Sequence, residues 1–276
     1  MSRRKEPEYH LPHPLFDSHL HAFHMDEADR DSADPDPVAK SLSLGLVGGL
    51  EVAVDEHRFE ERLAFAAARP GILVSAGIHP SSSGPERGAW EDRFALIREQ
   101  AARPETVAVG ETGLDFFRDH SPRNSQERAF ADHLALAVET GLPVIIHNRD
   151  ADRAVLDAVE SSGCRRGVFH CYSSGPETAE AAIALGFHVS FAGNITYKKT
   201  EAMREAARLV PEDRILVETD APYLSPVPVR GRPNHPGHLG YTLEVLAGVR
   251  GDDPADLAET TVRNARALFG PESLRP

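Results

Sequence analysis

The chain has 276 residues, 41% of them hydrophobic, and a formal charge of −13 with histidine neutral. That apolar share supplies a sizeable core, yet no run approaches the roughly 18 consecutive apolar residues of a membrane span. The negative charge argues against a protein that coats nucleic acid with a broad basic surface, but an enzyme that takes one strand end into a small pocket is compatible, since bound divalent ions reverse the local field.

Cys164 and Cys171 are too few for a disulfide framework. The basic start Met1-Ser2-Arg3-Arg4-Lys5 is followed by polar residues and no apolar signal segment, so a cytoplasmic protein is expected, with no membrane contact and no obligate protein partner evident.

Along the chain, short apolar runs alternate with stretches of helical period, the pattern of βα units around a parallel sheet. Strands are expected at about 14–20, 46–54, 72–78, 106–110, 143–147, 167–171, 187–191 and 215–219. The stretch 22–45 carries an acidic tract, Asp26–Asp36, and little helical signal before Pro37–Leu44; the tract is expected to be a solvated surface loop rather than a functional acidic patch. Ser121-Pro122 opens a helix that runs to Thr140-Gly141, Gly175-Pro176 opens one that ends near Gly186, and Asp253-Pro254 opens the last, ending at Phe269-Gly270. Five prolines from Pro222 to Pro236 stiffen the segment after the eighth strand. Eight such units predict an α/β fold, a (β/α)8 TIM barrel, as one domain over 1–276 with its core at about 14–270. Active sites of that fold lie at the C-terminal ends of the strands.

Chemistry-bearing residues fall at those ends. In Leu15-Phe16-Asp17-Ser18-His19-Leu20-His21, alternation along a strand turns His19 and His21 to the same side, where both imidazoles can reach one ion. His79, Glu111, His147, His170 and Asp220 each close an apolar, β-branched run. Burying one such group without a partner costs kilocalories, so their recurrence implies convergence on compensating charge, namely a metal centre. Imidazole and carboxylate ligands suit zinc, manganese, magnesium or iron, whereas a structural zinc site would hold several cysteines. Asp17 and Glu218 share the inward face with their ligand neighbours and are expected to accept from imidazole N–H groups. Arg149, whose guanidinium can grip two phosphate oxygens, and His79 are expected to contact a substrate phosphate. Cys171 should behave as a small buried hydrophobe.

The motifs Asp-Ser-His-Leu-His, Gly-Ile-His-Pro, Gly-Glu-Thr-Gly-Leu-Asp-Phe, Ile-His-Asn-Arg-Asp, His-Cys-Tyr-Ser and Glu-Thr-Asp-Ala-Pro-Tyr-Leu, in this order, resemble those of the TatD family of metal-dependent hydrolases, within the amidohydrolase-like superfamily. The likeness spans roughly residues 14 to 270; Met25 to Val54 departs from the usual pattern, which bears on substrate choice. The resemblance implies a deoxyribonuclease with two divalent metal ions, one held by His19, His21, Glu111 and Asp220, the other by Glu111, His147 and His170. Glu111 would bridge them, and Asp220 would also orient a water and accept its proton. The expected reaction is hydrolysis of DNA or another phosphodiester, with favourable contacts to two or three phosphates. The same superfamily covers esterases, lactonases and amidases, and fold alone does not separate these activities. A binding barrel with purely structural metals fits the complete ligand set less well.

Overall fold

The structure, a computed structural model, describes residues 9–28 and 35–270. Met1–Lys5 and residues 29–34 of the acidic tract lie outside the described residues.

In chain order the elements are β1 (Leu15–Leu20), α1 (Ala22–Ala28), α2 (Pro37–Leu44), β2 (Leu46–Glu51), α3 (Phe59–Ala67), β3 (Ile72–Ala76), α4 (Trp90–Ala101), β4 (Thr106–Asp115) and α5 (Arg123–Thr140). They continue with β5 (Val144–Arg149), α6 (Asp152–Ser162), β6 (Gly167–Phe169), α7 (Pro176–Ala184), β7 (His188–Phe191), α8 (Glu201–Leu209), β8 (Ile215–Val217), α9 (Leu239–Arg250) and α10 (Pro254–Phe269). The eight strands pair in sequence order, every neighbour parallel. Helices surround them, giving the (β/α)8 barrel.

β8 is short, so the seam where the ring meets β1 is made largely beyond its end. His21 N–H donates to the Ala221 carbonyl at 2.8 Å and Asp220 N–H to the His19 carbonyl at 3.0 Å. Side chains complete the join: Ser18 Oγ donates to the Val217 carbonyl at 3.1 Å, and the Asp17 carboxylate accepts from Thr219 N–H at 2.9 Å and Thr219 Oγ1 at 2.6 Å.

Phe16, Leu50, Ala108, Ile145, Val168 and Leu216 come from six different strands and meet in one cluster, which only the barrel interior allows; Leu268 and Phe269 of α10 close its floor. A second, larger cluster lies between strands and helices and includes Val144, Ile146, Phe169 and Val189. Alternation therefore sends Ile145, Val168 and Leu216 inward, and two residues further along the same chains come His147, His170 and Glu218.

Several boundaries differ from the sequence expectation. β4 does not stop at 110 but continues to Asp115, pairing Gly113 with His147 and Asp115 with Arg149. Gly-Glu-Thr-Gly has the composition of a turn, but here the glycines admit the neighbouring strand: a Cβ on Gly113 would sit 2.0 Å from the His147 carbonyl oxygen, and Gly113 has φ +138. β2 stops at Glu51, β5 runs on to Arg149 and β8 ends at Val217. The segment after β1 is partly helical, since α1 forms there; Asp36, from the acidic tract, caps α2 through Ala39 N–H at 2.9 Å and pairs with Arg69 at 2.5 Å. Pro122 precedes the first residue of α5 rather than occupying it. Cys164 and Cys171 are both free, and among the described residues no helix is long and apolar enough to cross a membrane.

His133 on α5 is buried against Trp90 and Phe94. Its Nδ1 lies 2.6 Å from the Ala129 carbonyl and its Nε2 accepts Ile78 N–H at 3.0 Å, so the neutral ring ties α5 to the end of β3. Burial pushes its pKa down from 6.5 to about 4, only partly offset by Ala129 and Asp132. A depressed imidazole pKa gives stability that is complete above 6.5 and is lost as pH falls towards 4, in total about 3 kcal/mol. His133→Gln, whose amide oxygen can still accept from Ile78, is expected to show a shallower loss of unfolding free energy between pH 6.5 and 4 in denaturant titrations; parallel slopes would contradict this role.

Candidate metal centre

Glu111 is the hub of the site. The Gly110 carbonyl accepts from Ser75 Oγ at 2.6 Å and Glu111 N–H donates to the Ala53 carbonyl at 3.1 Å, so both groups of the peptide that carries it are anchored. Its carboxylate is buried. Oε2 lies 3.5 Å from His19 Nε2 and 3.7 Å from His21 Nε2. Oε1 faces the other way, 2.7 Å from His170 Nε2, 2.8 Å from His147 Nδ1 and 3.4 Å from His79 Nε2. Asp220 Oδ1 stands beside the first group, 3.5 Å from His21 Nε2 and 3.8 Å from His19 Nε2.

Three sets of ligand atoms lie within 4.8 Å of one another and can hold a metal ion: His19, His21 and Glu111; His19, His170 and Glu218; and His79, Glu111 and His147. Hydrogen-bond partners show which nitrogens are free to donate a lone pair. His21 Nδ1 is 3.1 Å from the Val52 carbonyl, an acceptor only, so the ring proton sits on Nδ1 and Nε2 carries the lone pair. His170 Nδ1 is 3.3 Å from the Glu218 carboxylate, which again leaves the Nε2 lone pair aimed at Glu111. A lone pair against a carboxylate oxygen at 2.7 Å is favourable only with a shared proton or a cation between them. With protons in that place, burial opposes the charge on His170, but Glu111 and Glu218 outweigh it and hold its pKa well above the usual imidazole value. The reciprocal holds for Glu111: burial favours its neutral acid, and His170, His79 and His147 overcome this and keep it well below the usual carboxylate range. One further buried nitrogen, His19 Nδ1, has no hydrogen-bond partner among the described residues, and His147 Nε2 has only the Asp115 carboxylate, at 3.5 Å. The donor set therefore fits divalent cations.

His79 is different. Its Nδ1 accepts Ser81 N–H at 3.0 Å, so the lone pair is used there and the proton sits on Nε2, which points at the centre as a donor. Burial lowers its pKa to about 3, keeping the ring neutral. This arrangement suits a hydrogen bond to an anionic oxygen better than metal ligation.

The remaining expected residues separate. Glu218 accepts from Cys171 N–H at 2.7 Å as well as standing by His170. Asp17, expected beside an imidazole N–H, instead takes Thr219 and the His19 backbone N–H as its partners, because the β1–β8 seam brings Thr219 over it. Arg149 stands at the end of β5, two residues beyond His147, with its guanidinium 4.2 Å from the Phe117 ring. Burial pushes the Cys171 thiol well above its ordinary value, consistent with an inert residue.

Sequence reasoning passed over Asp115, whose Oδ2 is 3.5 Å from His147 Nε2 while Oδ1 accepts from the backbone of Phe117 and Arg118. Its signal was its place in Gly-Leu-Asp-Phe, four residues after Glu111. His24 stacks near His21 at 5.4 Å between ring centres, and Tyr223 lies edge-on to both. From the sequence His24 reads as an ordinary loop histidine, whereas the structure places it on α1; Tyr223 carries no separate signal.

With this geometry in place, the TatD related DNase family matches residues 16–270. The chain is 35% identical over 258 residues to the uncharacterized metal-dependent hydrolase YcfH of Escherichia coli (strain K12), covering 92% of this chain and 95% of that protein. It is 35% identical over 249 residues to the 3'-5' ssDNA/RNA exonuclease TatD of the same organism, covering 88% and 93%. The crystal structure of YjjV, a TatD homolog from Escherichia coli K12, superposes with a TM-score of 0.83 at 26% identity, covering 93% of this chain and 98% of that one.

Proposed function

The chain belongs to the TatD family of metal-dependent hydrolases, and on that premise we propose that it is a phosphodiesterase working through two divalent cations on the ends of nucleic-acid strands. The observation that carries this reading is the division of the Glu111 carboxylate, with Oε2 turned to His19 and His21 and Oε1 to His147 and His170. The exonuclease activity in the name of the TatD relative supports the same substrate class.

In this reading His19, His21, Glu111 and Asp220 hold one ion and Glu111, His147 and His170 the other; zinc, manganese, magnesium and iron all accept such ligands. When bound, the ions supply Lewis acidity that polarises a phosphoryl group and makes a water nucleophilic near neutral pH. The chain's own groups do the rest. Asp220, partly open to solvent beside His21, orients that water and takes its proton. His79 Nε2–H and the Arg149 guanidinium fix the non-bridging phosphate oxygens. Glu218 fixes the ring of His170, and Asp17 holds the seam that aims His19, His21 and Asp220 inward. The eight described strands form one sheet, and we read the chain as a single catalytic domain.

Metal-loaded protein should turn over bis(p-nitrophenyl) phosphate and short oligonucleotides faster than ester, lactone and amide panels; the reverse order would replace this reading with a carbonyl hydrolase using the same centre. Elemental analysis of reconstituted protein is expected to give about two ions per chain, and His147→Ala about one. Saturation of the unaltered protein at one ion, with His147→Ala leaving ion and activity untouched, would remove the second site. Asp220→Asn should fold normally yet lose turnover by about 100-fold or more, since an amide is neither anionic ligand nor proton acceptor. Near-normal turnover with metal content verified would rule out that role.

A further inference from the structure

Arginines on the outer surface of this acidic chain are commonly matched by carboxylates: Arg98 pairs with Glu139, Arg128 with Glu91, Arg153 with Asp157 and Arg208 with Glu201. Arg149, Lys198, Lys199 and Arg230, like Arg87, Arg118, Arg232 and Arg266, have no carboxylate within ion-pair distance among the described residues, and the first four are set apart by their place together with aromatic rings at the strand ends and on the loops after them. All four lie at the mouth of the barrel. Arg149 ends β5, the lysines sit between β7 and α8, and Arg230 lies in the long connection between β8 and α9.

Those last two connections are joined to each other. Val227 N–H donates to Thr196 Oγ1 at 2.9 Å, and Tyr197 OH donates to the Ser225 carbonyl at 2.9 Å. The Arg230 guanidinium lies 4.0 Å from the Tyr197 ring centre, as Arg149 lies 4.2 Å from that of Phe117. The Arg149 stack stands at the end of β5 and the Arg230–Tyr197 stack on the connections after β7 and β8, so both lie at the end of the barrel that carries His147 and His170. Phe117 is 61% exposed beside its arginine.

We propose that this rim is a subsite for single-stranded DNA or RNA outside the metal centre, in which Lys198, Lys199 and Arg230 join Arg149 in taking backbone phosphates while Phe117 and Tyr197 offer ring surface to bases. The inference rests on the phosphodiesterase reading and extends it from one strand end to a short track of nucleotides. Cations interleaved with aromatic rings are the recurrent means of holding an unpaired strand, because every base has a face to stack and every nucleotide a phosphate to neutralise. The acidic remainder of the surface repels the polyanion and leaves the mouth as its favourable landing place. Compared with the two or three phosphates expected from the sequence, the loops after β7 and β8 add three cations to the track.

The test uses metal-loaded protein and fluorescent, phosphorothioate-linked thymidylates of two and eight nucleotides, with binding followed by anisotropy at several salt concentrations and fixed divalent ion. The octamer is expected to bind at least tenfold tighter than the dimer. The triple variant Lys198→Ala, Lys199→Ala, Arg230→Ala should weaken the octamer at least tenfold, weaken the dimer far less, and flatten the slope of log K against log salt by about 2, at about 0.7 per lost contact. Unfolding temperature and metal content of the variant verify that it is intact, and Arg230→Lys should restore part of the octamer affinity. Equal binding of dimer and octamer, or an intact triple variant with unchanged octamer affinity and salt slope, would overturn the rim. Turnover of bis(p-nitrophenyl) phosphate by the unaltered protein is measured in parallel: its absence counts against the phosphodiesterase reading, whereas the rim stands or falls on length-dependent binding.

Discussion

Five imidazoles converge on one buried carboxylate, and the rest of the molecule is arranged around that fact. Taking the Glu111 charge out of water costs several kilocalories per mole unless positive charge replaces the lost solvent. His19, His21, His79, His147 and His170 lie 2.7 to 3.7 Å from its two oxygens, on opposite sides. Such a cluster is stable only with cations inside it, whether protons or metal ions. The fold's chemistry thus follows from an electrostatic requirement of its own core.

Holding the cluster together takes two local devices. On one side, Gly110 and Gly113 let β4 run hard against β5, so that Glu111 enters the interior between two glycines that no larger residue could replace without striking the backbone of Ile145 or His147. On the other, the ring of strands closes at the β1–β8 seam through Asp17, Ser18 and Thr219 together with two backbone hydrogen bonds. The seam fixes His19, His21 and Asp220 relative to one another although they are some 200 residues apart in sequence. Behind it, the buried Arg62–Glu51 pair braces the start of α1, where Glu51 accepts Ala22 N–H at 2.6 Å next to His21. Rigid supports of this kind keep ligands in place without the ion having to organise them.

Much of this was legible in the residues. Apolar runs ending in His, Glu or Asp marked both the barrel and the end of it that carries the chemistry, because parity along a strand transmits burial directly to the next ionisable group. What parity does not transmit is the partner. Asp17 was recognised as inward and buried, but its acceptor role towards Thr219 depends on how β8 and β1 meet, a long-range register that no local pattern encodes. The extension of β4 past Gly110 was hidden for a similar reason: glycine reads as a turn locally, and only the approach of β5 makes it part of a strand. His133 and Ser75 carried no signal, since their importance lies in the single backbone groups of Ile78 and Gly110 that they bond. The rim cations were masked by the total charge, which averages a short basic arc with a large acidic surface.

Whether Glu111 serves two ions at once is tested most directly by anomalous diffraction from crystals of the manganese- or zinc-loaded protein. Two peaks are expected, one on the Oε2 side among His19, His21 and Asp220, the other on the Oε1 side among His147 and His170. A single peak in fully loaded crystals, or two peaks with Glu111 bound to only one of them, would contradict it.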